Sequence, residues 1–328
     1  MDWFASGLSC VFKEFAKVFQ IFATGTPVQS PYGVHMLRGT IAGVVHDEAA
    51  QMMIWGFKGS GGTKPCWQCW NLTSKKSQRA EAQHNPGRIL IDLACGDPSR
   101  FVPQTNENIF RLVDELKNWN GSPGDFKQRE IDYGIRFEKH GILADPVARA
   151  MVPVMDVCWW EPAHVLISIF NWGVYRLFNH LENNSPNLGW KSFQGYLELD
   201  WQLVRNGSGR PCTAYTRNLW FADARIGASV SRKEYHGDMG DSLAFFTVLH
   251  FFVLTVVAPI PEFAEHAKCM SLLCKIMEIV FAPFVVVHRR ERHAEFKRLA
   301  VEHFNLNQRL YPDRDAIPKE HYIFHLTG

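Results

Sequence analysis

From Leu243 to Ala258 the chain carries no charged side chain, and that run limits the architectures open to it. A membrane-crossing helix needs about twenty apolar residues, and Pro259 stops this run short of that length. The next apolar stretch is interrupted by Lys275, Glu278 and Pro283. The run therefore predicts a core helix enclosed by other helices, with no membrane partner. Enclosing such a helix takes much apolar surface, which 328 residues at 46% hydrophobic content supply.

Other segments point the same way. After Thr105, the residues Ile109, Leu112, Val113 and Leu116 recur at helical spacing, and Gly121-Ser122-Pro123-Gly124 ends the pattern. A further helix is expected from about Phe126 to Gly134, and Val165 to Leu181 reads as a buried helix. Near the start, Val11, Phe15, Val18, Phe19 and Phe22 fall on one face of a short amphipathic helix, which predicts that this face is the buried one. Strand signals are weak and confined to the first half: Gly39–Val45, and Arg88–Leu93 before Cys95-Gly96-Asp97-Pro98. Thr24 to Gly33 is turn-rich, and His46-Asp47-Glu48-Ala49-Ala50 opens a helix with acids in its first turn. Together these predict a mixed α/β fold, mostly helical, with a first region over 1–150 and a helical one over 151–328. Asn206 to Gly240, rich in glycine, serine and charge, reads as a loop or internal boundary.

Composition excludes some partners and compartments. A net charge of +2 gives no global commitment to nucleic acid, so DNA contact would rest on local basic patches at Lys75–Arg88 and Arg289–Arg298. Eight cysteines are too dilute for a disulfide scaffold, and the start lacks the basic segment of a signal peptide.

The stretch Gly59-Ser60-Gly61-Gly62-Thr63-Lys64-Pro65-Cys66-Trp67-Gln68-Cys69-Trp70 presents two thiols from a glycine- and proline-flanked turn. Two residues between cysteines let both sulfurs reach one ion, so the pair supplies half of a tetrahedral zinc site. The expected remaining ligands are single residues, Cys95, Cys158, His84 or His164. A reduced pair in an ordinary turn and a thiol–disulfide motif are the alternatives.

In order along the chain stand Asp47-Glu48-Ala49-Ala50, then Lys58 through Cys66-x-x-Cys69, then Gly141-Ile142-Leu143-Ala144-Asp145-Pro146, then Ile169-Phe170-Asn171-Trp172, and finally Ile317-Pro318-Lys319-Glu320-His321-Tyr322-Ile323-Phe324-His325-Leu326. This succession resembles transposon-derived reading frames expanded in dinoflagellate genomes, which are similar in turn to the CACTA, Mirage and Chapaev superfamily of DDE transposases. The resemblance implies a partial RNase H-like core with a Cys-x-x-Cys insertion and an Asp-x-x-His motif, DNA as partner, and a nuclear location. The abrupt start at Met1 and the end at Gly328, just past the histidine stretch, read as a fragment.

Strand cleavage and transfer in that family need carboxylates holding two Mg²⁺ ions, which activate the attacking oxygen and stabilise the leaving one. Asp47, shared with Glu48, is the first candidate, and equally a helix-start residue complementing the dipole. For the second, Asp156-Val157-Cys158-Trp159 keeps the acid and loses the histidine, while Glu161-Pro162-Ala163-His164 keeps the histidine behind a glutamate. Asp241 occupies the third position, where the family has glutamate, and a helix-capping aspartate is the alternative there. Three altered positions in one copy predict a decayed catalytic centre. A zinc-stabilised helical interaction module without catalysis is the competing expectation.

Overall fold

The computed structural model describes residues 7–74, 90–199, 220–281, 289–312 and 316–326, and the protein is mostly helical with three small sheets among them. The chain divides into two compact units, one running to Glu161 and one from Pro162 to Thr327.

The first unit opens with helix α1 (Leu8–Thr24). Its phenylalanine stripe is not the buried face: Phe15, Val18 and Ile21 are exposed, while Ser9, Cys10 and Ala16 are enclosed. Small side chains let the helix come close to the backbone at 140–142, where Cys10 Sγ donates to His140 O (3.2 Å) and Ser9 Oγ accepts from Ile142 N (3.0 Å). A Lys17–Asp145 ion pair at 3.2 Å adds to this anchorage. Instead of the expected run of turns, a two-stranded antiparallel hairpin follows, β1 (Thr26–Ser30) with β2 (Gly33–Leu37). Ser30 pairs with Gly33, whose φ of 119° lies where only glycine is comfortable, so Pro31 and Tyr32 close the turn.

Strand β3 (Val44–His46) leads into α2 (Glu48–Trp55), with Asp47 between them as helix cap. Of the strand expected over Arg88–Leu93, Arg88 and Ile89 fall outside the described residues, and Ile91–Asp92 form β5 in a short parallel pair with β4 (Leu72–Thr73). Helix α3 (Asn106–Lys117) forms as its periodicity requires, capped by Thr105, with Ile109, Leu112, Val113 and Leu116 all buried. After α4 (Pro123–Tyr133) come two short helices, α5 (Pro146–Met151) and α6 (Val154–Val157). Arg149 of α5 holds Asp114 of α3 through both amino groups at 3.0–3.1 Å. Strand β6 (Cys158–Trp160) returns to pair parallel with β3, so that His46 lies opposite Trp160.

The second unit is built on α7 (Pro162–Asn184), which buries Leu166, Phe170, Val174, Phe178 and Leu181 along its length. Phe178 stacks on Trp190 of α8 (Trp190–Leu199) at 4.8 Å. After α9 (Asp223–Arg232), the charge-free run forms α10 (Met239–Phe252) and continues through a π-helical turn over Val253–Val257. Phe245 and Phe252 of α10 meet Phe170 and Phe178 at 5.2 and 6.2 Å, while Phe251 and Leu254 are exposed. Met239–Val257 is long and apolar enough to cross a membrane, and 56% of that window is buried inside the protein. Helices α11 (Ala264–Phe281) and α12 (Arg289–Leu310) follow, joined on their surface by Lys268–Glu302 at 2.7 Å. The short α13 (Pro318–Tyr322) and a 3₁₀ turn over Ile323–His325 close the described chain.

Candidate metal centre

The cysteine turn is fixed from both sides by main-chain bonds. Lys58 N donates to Gly134 O (2.8 Å) and Thr63 N to Ile131 O (3.0 Å), which sets the glycine-rich approach against the end of α4. Gly134 has a φ of 67°, and a Cβ there would stand 2.9 Å from Lys64 O, so this close approach requires glycine. Beyond the first cysteine, Gln104 N donates to Gln68 O (2.9 Å) and Trp70 N to Val102 O (2.7 Å). Cys66 and Cys69 are each 1% exposed and neither is in a disulfide. Their sulfurs lie within 4.8 Å of one another. The Cys66 thiol beside it, and then burial, push the Cys69 thiol far above its ordinary range. A neutral pair of thiols is what a buried site without positive charge must hold, and a divalent cation reverses that preference.

The second unit carries a pair of imidazoles on consecutive turns. His321 lies in the last turn of α13 and His325 ends the 3₁₀ turn, and the four-residue spacing sets both rings on one face. Their Nε2 atoms are 3.0 Å apart, with ring centroids at 4.9 Å. Two nitrogens bound at about 2.0–2.1 Å to one tetrahedral zinc stand about 3.3 Å apart, so the pair is already near ligand spacing. His321 is fully buried.

Each unit thus carries one pair of side chains of metal-ligating type, two thiols in the first and two imidazoles in the second. Thiolate sulfur and imidazole nitrogen are both donors that zinc takes. The expected single ligands stand elsewhere. Cys95 sits in the loop after β5 with its Sγ 3.8 Å from Asp97 O, and Cys158 is sealed at the start of β6, where burial pushes its thiol up. His164 lies in the first turn of α7, exposed, in the second unit. His84 and the basic stretch Lys75–Arg88 fall outside the described residues. Sequence reasoning missed His321 and His325 as candidate ligands; the signal that could have found them is two imidazoles four residues apart.

The three aspartates have structural duties. Asp47 caps α2 by accepting from Ala50 N at 2.7 Å. Asp156, exposed on α6, accepts from Asn106 Nδ2 at 3.1 Å, while Asn106 Oδ1 takes Met155 N at 2.9 Å. This exchange ties α6 to the first turn of α3. Asp241 belongs to the second unit, in the first turn of α10, and pairs with Arg225 at 2.7 Å. Its own N–H donates to the cap residue Asp238.

One further constellation has the bonding order of a nucleophile triad: Ser271 Oγ is 2.8 Å from His250 Nε2, and Glu278 Oε1 is 3.1 Å from His250 Nδ1. Ser271 sits inside α11, where helical bonding occupies the main-chain N–H groups beside it that an oxyanion would need. The three residues clamp α10 to α11.

Compared with protein-family models, with curated proteins and with solved structures, the chain matches none.

Proposed function

We propose that this protein is a zinc-stabilised, transposase-derived module whose zinc ligands include Cys66 with Cys69 in the first unit and His321 with His325 in the second. The donor chemistry carries this reading: each pair by itself is half of a tetrahedral shell. The local roles of Asp156 and Asp241 support a non-catalytic protein, since each acid is engaged in holding helices rather than held in reserve. DNA is the partner that the family resemblance supplies. On α12, among the described side chains, Arg298 pairs with Glu302 and Arg309 with Glu265, so Arg292 and Lys297 are the basic groups there that could meet phosphates. Purified protein should contain zinc, and its content should fall in Cys66→Ser with Cys69→Ser and in His321→Asn with His325→Asn. Zinc content unchanged in either double variant would sink the proposal.

A second reading, a surviving Mg²⁺-dependent nuclease in the nucleus, draws on a different observation. Strands β3 and β6 run parallel and in register, and Asp47 and Glu161 follow directly at their carboxyl ends, with Glu161 N donating to His46 O at 3.1 Å. Carboxyl ends of adjacent parallel strands are where α/β sheets place ligands. This favours the Glu161-Pro162-Ala163-His164 register over Asp156 for the second acid. Nicking of duplex DNA with Mg²⁺ or Mn²⁺ that disappears in Glu161→Ala would establish this reading, and its absence in the parent protein would dismiss it.

A further inference from the structure

We infer that Glu320 is the positioning residue for the imidazole pair of the second unit, acting through the main chain that carries His321 and His325; this rests on the reading of that pair as zinc ligands above. Glu320 is 2% exposed, yet its carboxylate receives three donors from three different places. Arg176 of α7 donates from Nη1 at 2.7 Å, both side chains being 3% exposed. Asn307 of α12 donates from Nδ2 to the same oxygen at 2.9 Å, and the other oxygen takes Ile317 N at 3.1 Å, closing the first turn of α13. Without this tether a five-residue helix would be marginal, because so short a helix cannot repay its own nucleation. The carboxylate thus locks α13 to two long helices at the residue directly before His321.

Burying an ion pair is a costly way to gain stability, since apolar side chains of similar volume commonly do as well. Its return is geometric. A tetrahedral ion binds tightly only to ligands already near their bound positions, and groups that orient ligands typically change metal affinity by about 10–100-fold. Tyr322 and Ile323, both buried, fill the apolar side of the same segment, so the polar tether and the packing together fix its rotation.

The test compares the full-length parent protein with Arg176→Met plus Glu320→Met, and with Asn307→Leu as the milder variant. Zinc affinity is measured by competition with a chromophoric chelator, and cobalt(II) loading reports ligand geometry through its visible absorption. The double variant should stay folded as apoprotein, bind zinc roughly ten-fold or more weakly, and give a weakened tetrahedral cobalt spectrum. Asn307→Leu should shift both in the same direction by a few-fold, and it carries the test if the double variant fails to fold. Folded variants with parental zinc affinity and an unchanged cobalt spectrum would overturn this inference alone. A parent protein that takes up neither ion would remove the zinc reading and this inference with it.

Discussion

His303 sets how the second unit responds to acid. Its imidazole is 5% exposed on α12, with Nδ1 3.1 Å from Cys269 O and 3.6 Å from Cys269 Sγ. Burial is the leading cause that draws its pKa from the ordinary 6.5 down to about 4; the bond to Cys269 and the charge of Glu320 oppose this, and Arg176 reinforces it. The unfolded chain therefore accepts a proton below about pH 6.5 that the folded chain refuses until about pH 4. Stability from this group is complete above pH 6.5 and falls as the pH drops through that window. At 1.36 kcal/mol per pKa unit the loss reaches about 3 kcal/mol by pH 4, a large share of the 5–15 kcal/mol that holds a typical domain. In His303→Leu the window disappears, while losing the hydrogen bond to Cys269 costs about 1 kcal/mol at every pH. Urea unfolding of both proteins at about pH 7 and about pH 4.5 measures the difference. The stability gap between them should move by about 2 kcal/mol in favour of the variant on acidification. Parallel pH profiles would refute the reasoning, because His303 would then titrate alike in both states.

Two further expectations concern the first unit. His46 is 4% exposed against Trp67 and Trp160, and neither ring nitrogen makes a well-formed hydrogen bond, so His46→Phe should raise the unfolding free energy by about 1 kcal/mol in urea titration. Gly134→Ala should lower it by about 2 kcal/mol or more, from the left-handed backbone and the contact with Lys64 O, whereas Gly227→Ala in the open interior of α9 should leave it unchanged or raise it by up to about 1 kcal/mol; equal effects would show that the close approach at Gly134 is not what the residue is there for.

Much of the helical architecture was legible in the residues. Ile109 to Leu116 has one apolar stripe with polar flanks and a Thr105 cap, so local propensity and burial agree, and α3 forms where they say. Helix α1 misled for a physical reason: its large apolar side chains make the stronger stripe, but Ser9, Cys10 and Ala16 permit the closer backbone approach, and the closer approach decided the packing. The hairpin β1–β2 was hidden because nearly all of its residues lie partly or fully exposed, which erases the alternation that marks a half-buried strand. Cys66 and Cys69 declared themselves through spacing. The histidine pair did not, since two imidazoles four residues apart read the same whether they ligate or pack, and the acids Asp156 and Asp241 read the same in sequence whether they cap, bridge or coordinate.

The central claim is that the thiol pair and the imidazole pair are both zinc ligands, and X-ray absorption at the zinc edge of the purified full-length protein tests it most directly. The account predicts sulfur scatterers at about 2.3 Å and imidazole nitrogens at about 2.0–2.1 Å. A shell of sulfur alone, a shell of nitrogen and oxygen alone, or protein that holds no zinc would contradict it.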